Sequence, residues 1–181
     1  MWPKITQNYS PNFSTPKRLK KNINYIIIHY TGMKNELMAL NRLTNYKSKV
    51  SAHYFIKKNG KIHNLVPDLY EAWHAGKSNW KNLKSLNAHS IGIEIQNSGH
   101  ENSYENFSNK QMSSIKKLLE SEVSNITGLD KDDIKTHSQS SNYQRKSLRI
   151  KQDVTETKEE RVFQQTGLGS KVLNVILAYP F

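Results

Sequence analysis

The sequence predicts an α/β fold built on a mixed, mainly parallel central sheet with helices on both faces. Three observations point to it. Short apolar runs alternate along the chain with segments of helical period. The run Tyr25-Ile26-Ile27-Ile28 is apolar on successive residues, the pattern of a strand covered on two sides. A length of 181 residues with 35% hydrophobic side chains can bury one core and is short for two.

Each element has its own signal. Residues 1–22 carry three of the five prolines and no sustained period, so they read as an extended arm laid over a single domain spanning 23–181. The first core strand begins at Tyr25 and ends in His29, Tyr30 and Thr31, before Gly32. Asn35 is placed to cap a helix whose apolar residues are Leu37, Met38, Leu40 and Leu43. Val50 to Lys57 and Lys61 to Val66 read as strands, joined through Asn59-Gly60 as a tight two-residue hairpin. Residues 67–90 have no period and read as a long surface loop or site-lining segment. Ile91 to Ile95 is a strand with Glu94 inside it. Ser108 and Gln111 form a capping box before Ile115, Leu118, Leu119, Val123 and Ile126, a helix closed by Gly128. A short strand around Ile134 feeds His137, residues 138–160 are polar and irregular, and residues 170–179 are expected to form a last apolar helix.

Composition bounds the function. The balance of 27 Lys+Arg against 15 Asp+Glu, a formal charge of +12, draws the chain to anionic partners. The cluster Lys17, Arg18, Lys20, Lys21 is expected to be a solvated face. Helix-turn-helix, zinc-knuckle and RNP-like patterns are absent, so nucleic acid is not the expected partner. A mean hydropathy of −0.77 and no apolar run approaching a membrane's thickness exclude a spanning helix by sequence. The opening residues hold no signal-peptide core in this numbering, so a cytoplasmic location is expected, or a periplasmic one if the sequence is trimmed. With no cysteine, disulfides, thiol nucleophiles and thiolate metal sites are excluded. A monomer is the default.

Three polar residues stand where burial is costly: His29 closing one strand, Glu94 inside another, and His137 following a third. Singly, each fits a structural histidine or a solvent-facing glutamate. Together, two imidazoles and a carboxylate with a corner left for water are the minimal set for a catalytic zinc. No HExxH is present, so such a site has to be assembled by the fold.

The segments YIIIHYTG (Tyr25 to Gly32), VSAHYFI (Val50 to Ile56), AWHAG (Ala72 to Gly76), SIGIEIQN (Ser90 to Asn97) and THS (Thr136 to Ser138) occur in an order and approximate spacing that resembles the type 2 N-acetylmuramoyl-L-alanine amidases. These are zinc peptidoglycan amidases related to phage amidase-type lysozymes and peptidoglycan recognition proteins. The resemblance runs from Tyr25 to His137. It implies an amidase/peptidoglycan-recognition fold, Zn2+ as cofactor, and peptidoglycan or muropeptide fragments as partners. It makes His29 and His137 zinc ligands and Glu94 the catalytic glutamate.

The family's third ligand is usually an Asp ten residues after the second His, and here that position is Ser147. The stretch Arg149-Ile150-Lys151-Gln152-Asp153 reproduces the R/K-x-D ending of the family motif, so the resemblance implies Asp153 as third ligand and Lys151 as catalytic lysine. The chain departs from the pattern at Gln139, where Asp is customary, and at Val154-Thr155, where Pro-Gly is usual.

The implied reaction is hydrolysis of the amide between N-acetylmuramic acid, or its 1,6-anhydro form, and L-alanine of the stem peptide, in cell-wall degradation or muropeptide recycling. Trp73, His74 and Asn97 border the substrate in this reading; the alternatives are core packing, a surface histidine and a loop-satisfying amide. His53 is a candidate orienter, and His63, His89 and His100 read as surface residues. Two rival readings stay open: a glycosidase, which needs a second carboxylate across the bond, and a non-catalytic peptidoglycan-binding module that has lost a ligand.

Overall fold

The computed structural model describes residues 4–80, 83–99, 102, 105–127, 161–165 and 173–177. In chain order its strands are β1 (Ile5–Gln7), β2 (Phe13–Ser14), β3 (Tyr25–Tyr30), β4 (Tyr54–Ile56), β5 (Ile62–Asn64), β6 (Glu71–Ala72), β7 (Asn79–Trp80), β8 (Leu83–Lys84), β9 (Ser90–Ile95), β10 (Arg161–Gln165) and β11 (Leu173–Leu177). Helix α1 (Glu36–Thr44) follows β3, and helix α2 (Asn109–Thr127) follows β9.

Seven strands form one sheet in the order β1-β5-β4-β9-β3-β11-β10. The pairs β1/β5, β4/β9, β9/β3 and β3/β11 are parallel, while β4/β5 and β10/β11 are antiparallel. The expected mixed, mainly parallel sheet is therefore present. Two short antiparallel ribbons, β2/β6 and β7/β8, flank it.

Strand alternation divides the side chains between two unlike faces. One face is dry: Ile26 and Ile28 of β3, Tyr54 and Ile56 of β4, and Ile91, Ile93 and Ile95 of β9 pack against Ile115 and Leu118 of α2. Full burial of each such isoleucine contributes roughly 1.5–3 kcal/mol. The other face carries Ile27, His29, His53, Phe55, His63, Gly92 and Glu94, and is covered in part by α1 through Ala39 and Leu43 against Ala52, Phe55 and Leu65. Helices thus cover both faces.

Local chemistry sets the boundaries. The Asn35 side chain accepts a hydrogen bond from the Met38 amide at 3.0 Å and starts α1. At α2 the Gln111 amide donates to Ser108 Oγ (3.2 Å) while the Ser108 amide donates to Gln111 Oε1 (3.0 Å), a complete capping box. The β4–β5 connection is one residue longer than the two-residue hairpin the sequence suggests. The Gly60 amide donates to the Lys57 carbonyl, and Lys57 pairs with Lys61. Gly60 has φ +82°, which makes this a type I turn followed by a left-handed glycine. A Cβ at Gly60 would also stand 2.8 Å from the Lys110 carbonyl, so that glycine lets α2 approach the turn.

Three expectations are corrected. Residues 173–177 form strand β11, parallel to β3, where a helix is expected over 170–179. Leu-Asn-Val-Ile-Leu is too short an apolar run for period to separate strand from helix, and the open edge of β3 supplies the pairing. The N-terminal residues do more than lie over the domain: β1 extends the sheet beside β5. Within the basic cluster, Arg18 is partly buried, and its guanidinium donates to the carbonyls of Asn87 (2.8 Å), Ser90 (2.7 Å) and Asp68. The expected strand at Ile134, the helix end at Gly128 and the polar stretch 138–160 lie outside the described residues.

Glu122 continues the buried stripe of α2 one turn beyond Leu118 and is only 1% exposed. The Tyr54 hydroxyl lies 3.0 Å from Glu122 Oε1 and 2.8 Å from Asp68 Oδ1. Its single proton cannot serve both carboxylates at once. Burial, followed by the neighbouring Asp68 charge, raises Glu122 to about 8, so Glu122 holds a proton in the folded state. The folded pKa lies above the ordinary 4.5, so this contribution is fully present below pH ~4.5 and is lost as pH rises toward 8. We therefore expect Glu122→Gln, a permanent mimic of the protonated acid, to match wild type near pH 5 and to exceed its stability above pH 8 by on the order of 1–3 kcal/mol. Urea unfolding of the metal-free chain across that range checks this; a stability difference independent of pH contradicts it.

Candidate active site

The site grows out of strand register. In the parallel pair β3/β9, His29 stands opposite Glu94, and in β4/β9 Glu94 stands opposite Phe55. Phe55 in turn faces His63 across β4/β5. One row across the sheet therefore reads His63, Phe55, Glu94, His29, all on the face away from α2. His29 and Glu94 lie at the C-terminal ends of adjacent parallel strands, where α/β sheets place their chemistry.

Glu94 has apolar neighbours on the strand and at Phe55. Its Oε2 is buried with no hydrogen-bond partner among the described residues. Burial raises its carboxyl to about 8, offset only weakly by the more distant Arg42 charge. A carboxylate kept in such a place costs stability, which is the usual mark of a group retained for chemistry or for a cation.

Below the row lies a set of buried imidazoles whose protons can be traced from fixed ends. The Ser90 hydroxyl lies 2.6 Å from the Leu86 carbonyl, so its proton points there. Ser90 Oγ, 3.1 Å from His74 Nε2, must then accept, which puts the His74 proton on Nε2. His74 Nδ1 is left as an acceptor, 3.0 Å from His29 Nε2, so His29 carries its proton on Nε2 and its lone pair on Nδ1. His53 has the same tautomer for a different reason. Its Nδ1 accepts from the Gly92 amide (2.9 Å) and its Nε2 donates to the Tyr70 carbonyl (3.0 Å).

Burial keeps all three rings neutral. It lowers His29 to about 4 and, helped by the Arg18 charge, His53 to about 3; His74 is also held well below the ordinary value by burial. A neutral imidazole with a fixed lone pair is what a metal ion requires of a ligand.

Gly92 seats the arrangement. A Cβ at that position would overlap the Cγ atom of the His74 ring. Its backbone angle does not call for glycine; the space does.

The structure places the other candidates as follows. His74 is 5% exposed and sits behind His29. Asn97 is 1% exposed; its amide donates to the Glu105 carbonyl (2.6 Å) and its oxygen accepts from the Gly99 amide (2.9 Å), the loop-satisfying alternative. Trp73 is partly buried, with its indole N–H donating to Ser14 Oγ at 2.8 Å. His53 contacts backbone groups, the Arg18 guanidinium, whose Nη2 is 3.0 Å from its Nε2, and the His74 ring, with ring centroids 5.8 Å apart. His63 is buried, not a surface residue, because β5 pairs on both sides and turns it toward Phe55. His137, Lys151 and Asp153, with His100, lie outside the described residues. Among the described residues no three potential ligands gather into a metal cluster. His74 and Ser90 as partners of His29 are not visible in the sequence as such; AWHAG and the serine opening SIGIEIQN were the available signals.

The family model for N-acetylmuramoyl-L-alanine amidase matches residues 19–149. The chain therefore belongs to the N-acetylmuramoyl-L-alanine amidase family. Over 88 residues, 45% of the chain, it is 41% identical to the N-acetylmuramoyl-L-alanine amidase AmiD of Escherichia coli, of which this covers 31%. Over 92 residues, 51% of the chain, it is 34% identical to the 1,6-anhydro-N-acetylmuramyl-L-alanine amidase AmpD of Haemophilus influenzae, of which this covers 48%. The chain thus aligns with less than half the length of either. Among solved structures it resembles AmpDh3 from Pseudomonas aeruginosa in complex with anhydromuramic pentapeptide, with a TM-score of 0.53 and 27% identity, over 64% of this chain and 50% of that one. AmiD from E. coli, in complex with the substrate anhydro-N-acetylmuramic acid-L-Ala-D-gamma-Glu-L-Lys, gives a TM-score of 0.51 and 31% identity, over 59% and 45% of the two chains. No described helix is long and apolar enough to cross a membrane.

If Gly92 is glycine to make room for His74, Gly92→Ala should cost about 1–3 kcal/mol through overpacking, well beyond an ordinary exchange in a strand where alanine is tolerated. Denaturant unfolding of the metal-free chain measures it; an unchanged or raised midpoint contradicts the packing.

Proposed function

We propose that this chain hydrolyses the amide between the lactyl group of N-acetylmuramic acid, or of its 1,6-anhydro form, and L-alanine of a peptidoglycan stem peptide. The observation that carries the proposal is the pairing of His29 with Glu94 in register, the histidine with a directed lone pair and the glutamate with a buried oxygen that has no hydrogen-bond partner among the described residues. The donor chemistry fits a zinc ion: a neutral imidazole from the described residues, and from the family motif His137 and Asp153. When bound, the ion supplies Lewis-acid polarisation of a carbonyl and lowers the pKa of a water to about 7.

The chain's own residues divide the remaining work. His29 presents Nδ1 and is held from behind through Nε2. Glu94 takes the proton of the attacking water on its carboxylate and returns it to the alanine nitrogen as the C–N bond breaks, which leaves a free muramic carboxylate and a free amine. Its desolvated setting raises its basicity, while a nearby cation lowers it again, and the two together keep the group close to a working range. Lys151, as a fixed cation, stabilises the oxyanion formed on the substrate carbonyl. The formal charge of +12 favours a substrate whose stem peptide carries free carboxylates. Support for the substrate class comes from the two related solved structures, which hold anhydromuramyl peptides.

Incubation with 1,6-anhydro-muropeptides and with intact peptidoglycan, followed by mass spectrometry, tests this. We expect free stem peptides; peptides still attached to sugar would indicate a glycosidase, and binding without turnover a non-catalytic module. Glu94→Gln should lower turnover by about 10²–10⁴-fold and keep its zinc. Asp153→Ala should lose both zinc and turnover, whereas Ser147→Ala should lose neither; the reverse pattern for these two would move the third ligand to Ser147.

A further inference from the structure

Beneath the proposed ligand His29 lies a directed chain of hydrogen bonds that the reaction itself does not require. It begins at a backbone carbonyl, that of Leu86, and runs through Ser90 Oγ (2.6 Å), His74 Nε2 (3.1 Å), His74 Nδ1 and His29 Nε2 (3.0 Å). A carbonyl accepts and cannot donate, so every proton in the chain points from His29 toward Leu86. Moving the His74 proton to Nδ1 would leave its Nε2 and the Leu86 carbonyl, both acceptors, competing for the single Ser90 hydroxyl proton. The ring is also built in: it is 5% exposed, lies edge-on to His29 with centroids 5.3 Å apart, and occupies space opened by the absence of a Cβ at Gly92. A glycine inside a strand costs roughly 0.5–1 kcal/mol relative to alanine, and here that cost seats one imidazole behind another.

We propose that His74, anchored by Ser90, is the positioning residue that fixes the tautomer of His29 and so directs its Nδ1 lone pair to a bound divalent cation. This rests on the reading of His29 as a zinc ligand. His74 touches neither substrate nor metal; it acts through His29, as the partners of metal-bound histidines do when they accept from the remote ring N–H. An acceptor nitrogen in this place differs from the usual carboxylate or carbonyl partner in carrying no charge and in having its own direction set by a third group, Ser90. The sequence motif AWHAG is thereby given a role below the site, not along a substrate groove.

Packing and positioning predict opposite rankings of two substitutions. His74→Leu fills much of the ring's volume and offers no acceptor. His74→Asn is smaller, yet places an acceptor oxygen near the position of Nδ1. If His74 positions His29, zinc affinity of the Leu variant falls by about 10–100-fold while the Asn variant stays within about threefold of wild type. Ser90→Ala, which removes one oxygen and little volume, lowers affinity by an amount between those two and keeps the chain folded if the leucine variant does not fold. Competition with a chromophoric chelator reads the affinities. Two-bond ¹H–¹⁵N correlation spectra of the metal-free chain read the tautomer directly: His29 protonated on Nε2 in wild type and in His74→Asn, and a mixture of tautomers in His74→Leu. The proposal is overturned if the leucine variant binds zinc as wild type does with an unchanged His29 tautomer, or if the asparagine variant is the weaker of the two. A wild-type chain that takes up no zinc at all contradicts both the zinc reading and the proposal; wild type and His74→Leu taking it up alike contradicts the proposal alone.

Discussion

The parallel register of β3 on β9 is the constraint on which the rest of the molecule depends. Pairing His29 with Glu94 places an imidazole and a carboxylate side by side on one face, while their neighbours Ile28 and Ile93 point to the other. Side chains alternate with period two, so a slip of one residue in either strand would send one of the pair into the isoleucine layer under α2. The dry face specifies the register of the polar one: seven large side chains of β3, β4 and β9 find their places against α2 only when His29 and Glu94 meet.

The two faces of the sheet therefore do different work. The α2 side is uniform and apolar, apart from the Tyr54, Asp68 and Glu122 contact at its margin. The opposite side is polar and still largely buried; His29, His53 and His74 tolerate that burial because they are neutral and hydrogen-bonded through Ser90, Leu86, Gly92 and Tyr70, whereas neither ring nitrogen of His63 has a hydrogen-bond partner among the described residues. Arg18, reaching in from the N-terminal segment, closes the lower end of this layer by donating to three carbonyls, one of them that of Ser90. Among the described residues the charges that bear on this face near Glu94 are those of Arg42 on Glu94 and of Arg18 on His53 and His74.

What the sequence discloses follows from how local the causes are. Asn35 and the Ser108/Gln111 box mark their helices because a cap is a contact between residues three apart. The β3 strand is legible from the run Tyr25-Ile26-Ile27-Ile28 and β9 from isoleucines at 91, 93 and 95, and His29 and Glu94 stand out within them. Residues 173–177 misled because a five-residue run with four apolar side chains carries no decisive period, and pairing with β3 chooses strand. His63, His74, Arg18 and Glu122 look like ordinary polar residues in sequence; their burial comes from strand pairing, from the gap at Gly92 and from partners 14 to 72 residues away. The family motif reached His29, Glu94 and His137 by resemblance, and the hydrogen-bond geometry adds the order of protons behind His29.

An anomalous-scattering map collected at the zinc edge, from crystals grown with zinc, tests the account most directly. The account predicts one strong peak about 2.0–2.1 Å from His29 Nδ1, with the Glu94 carboxylate beside it and not bound to it. A peak on His29 Nε2, a peak elsewhere on the chain, or a blank map around His29 would contradict it.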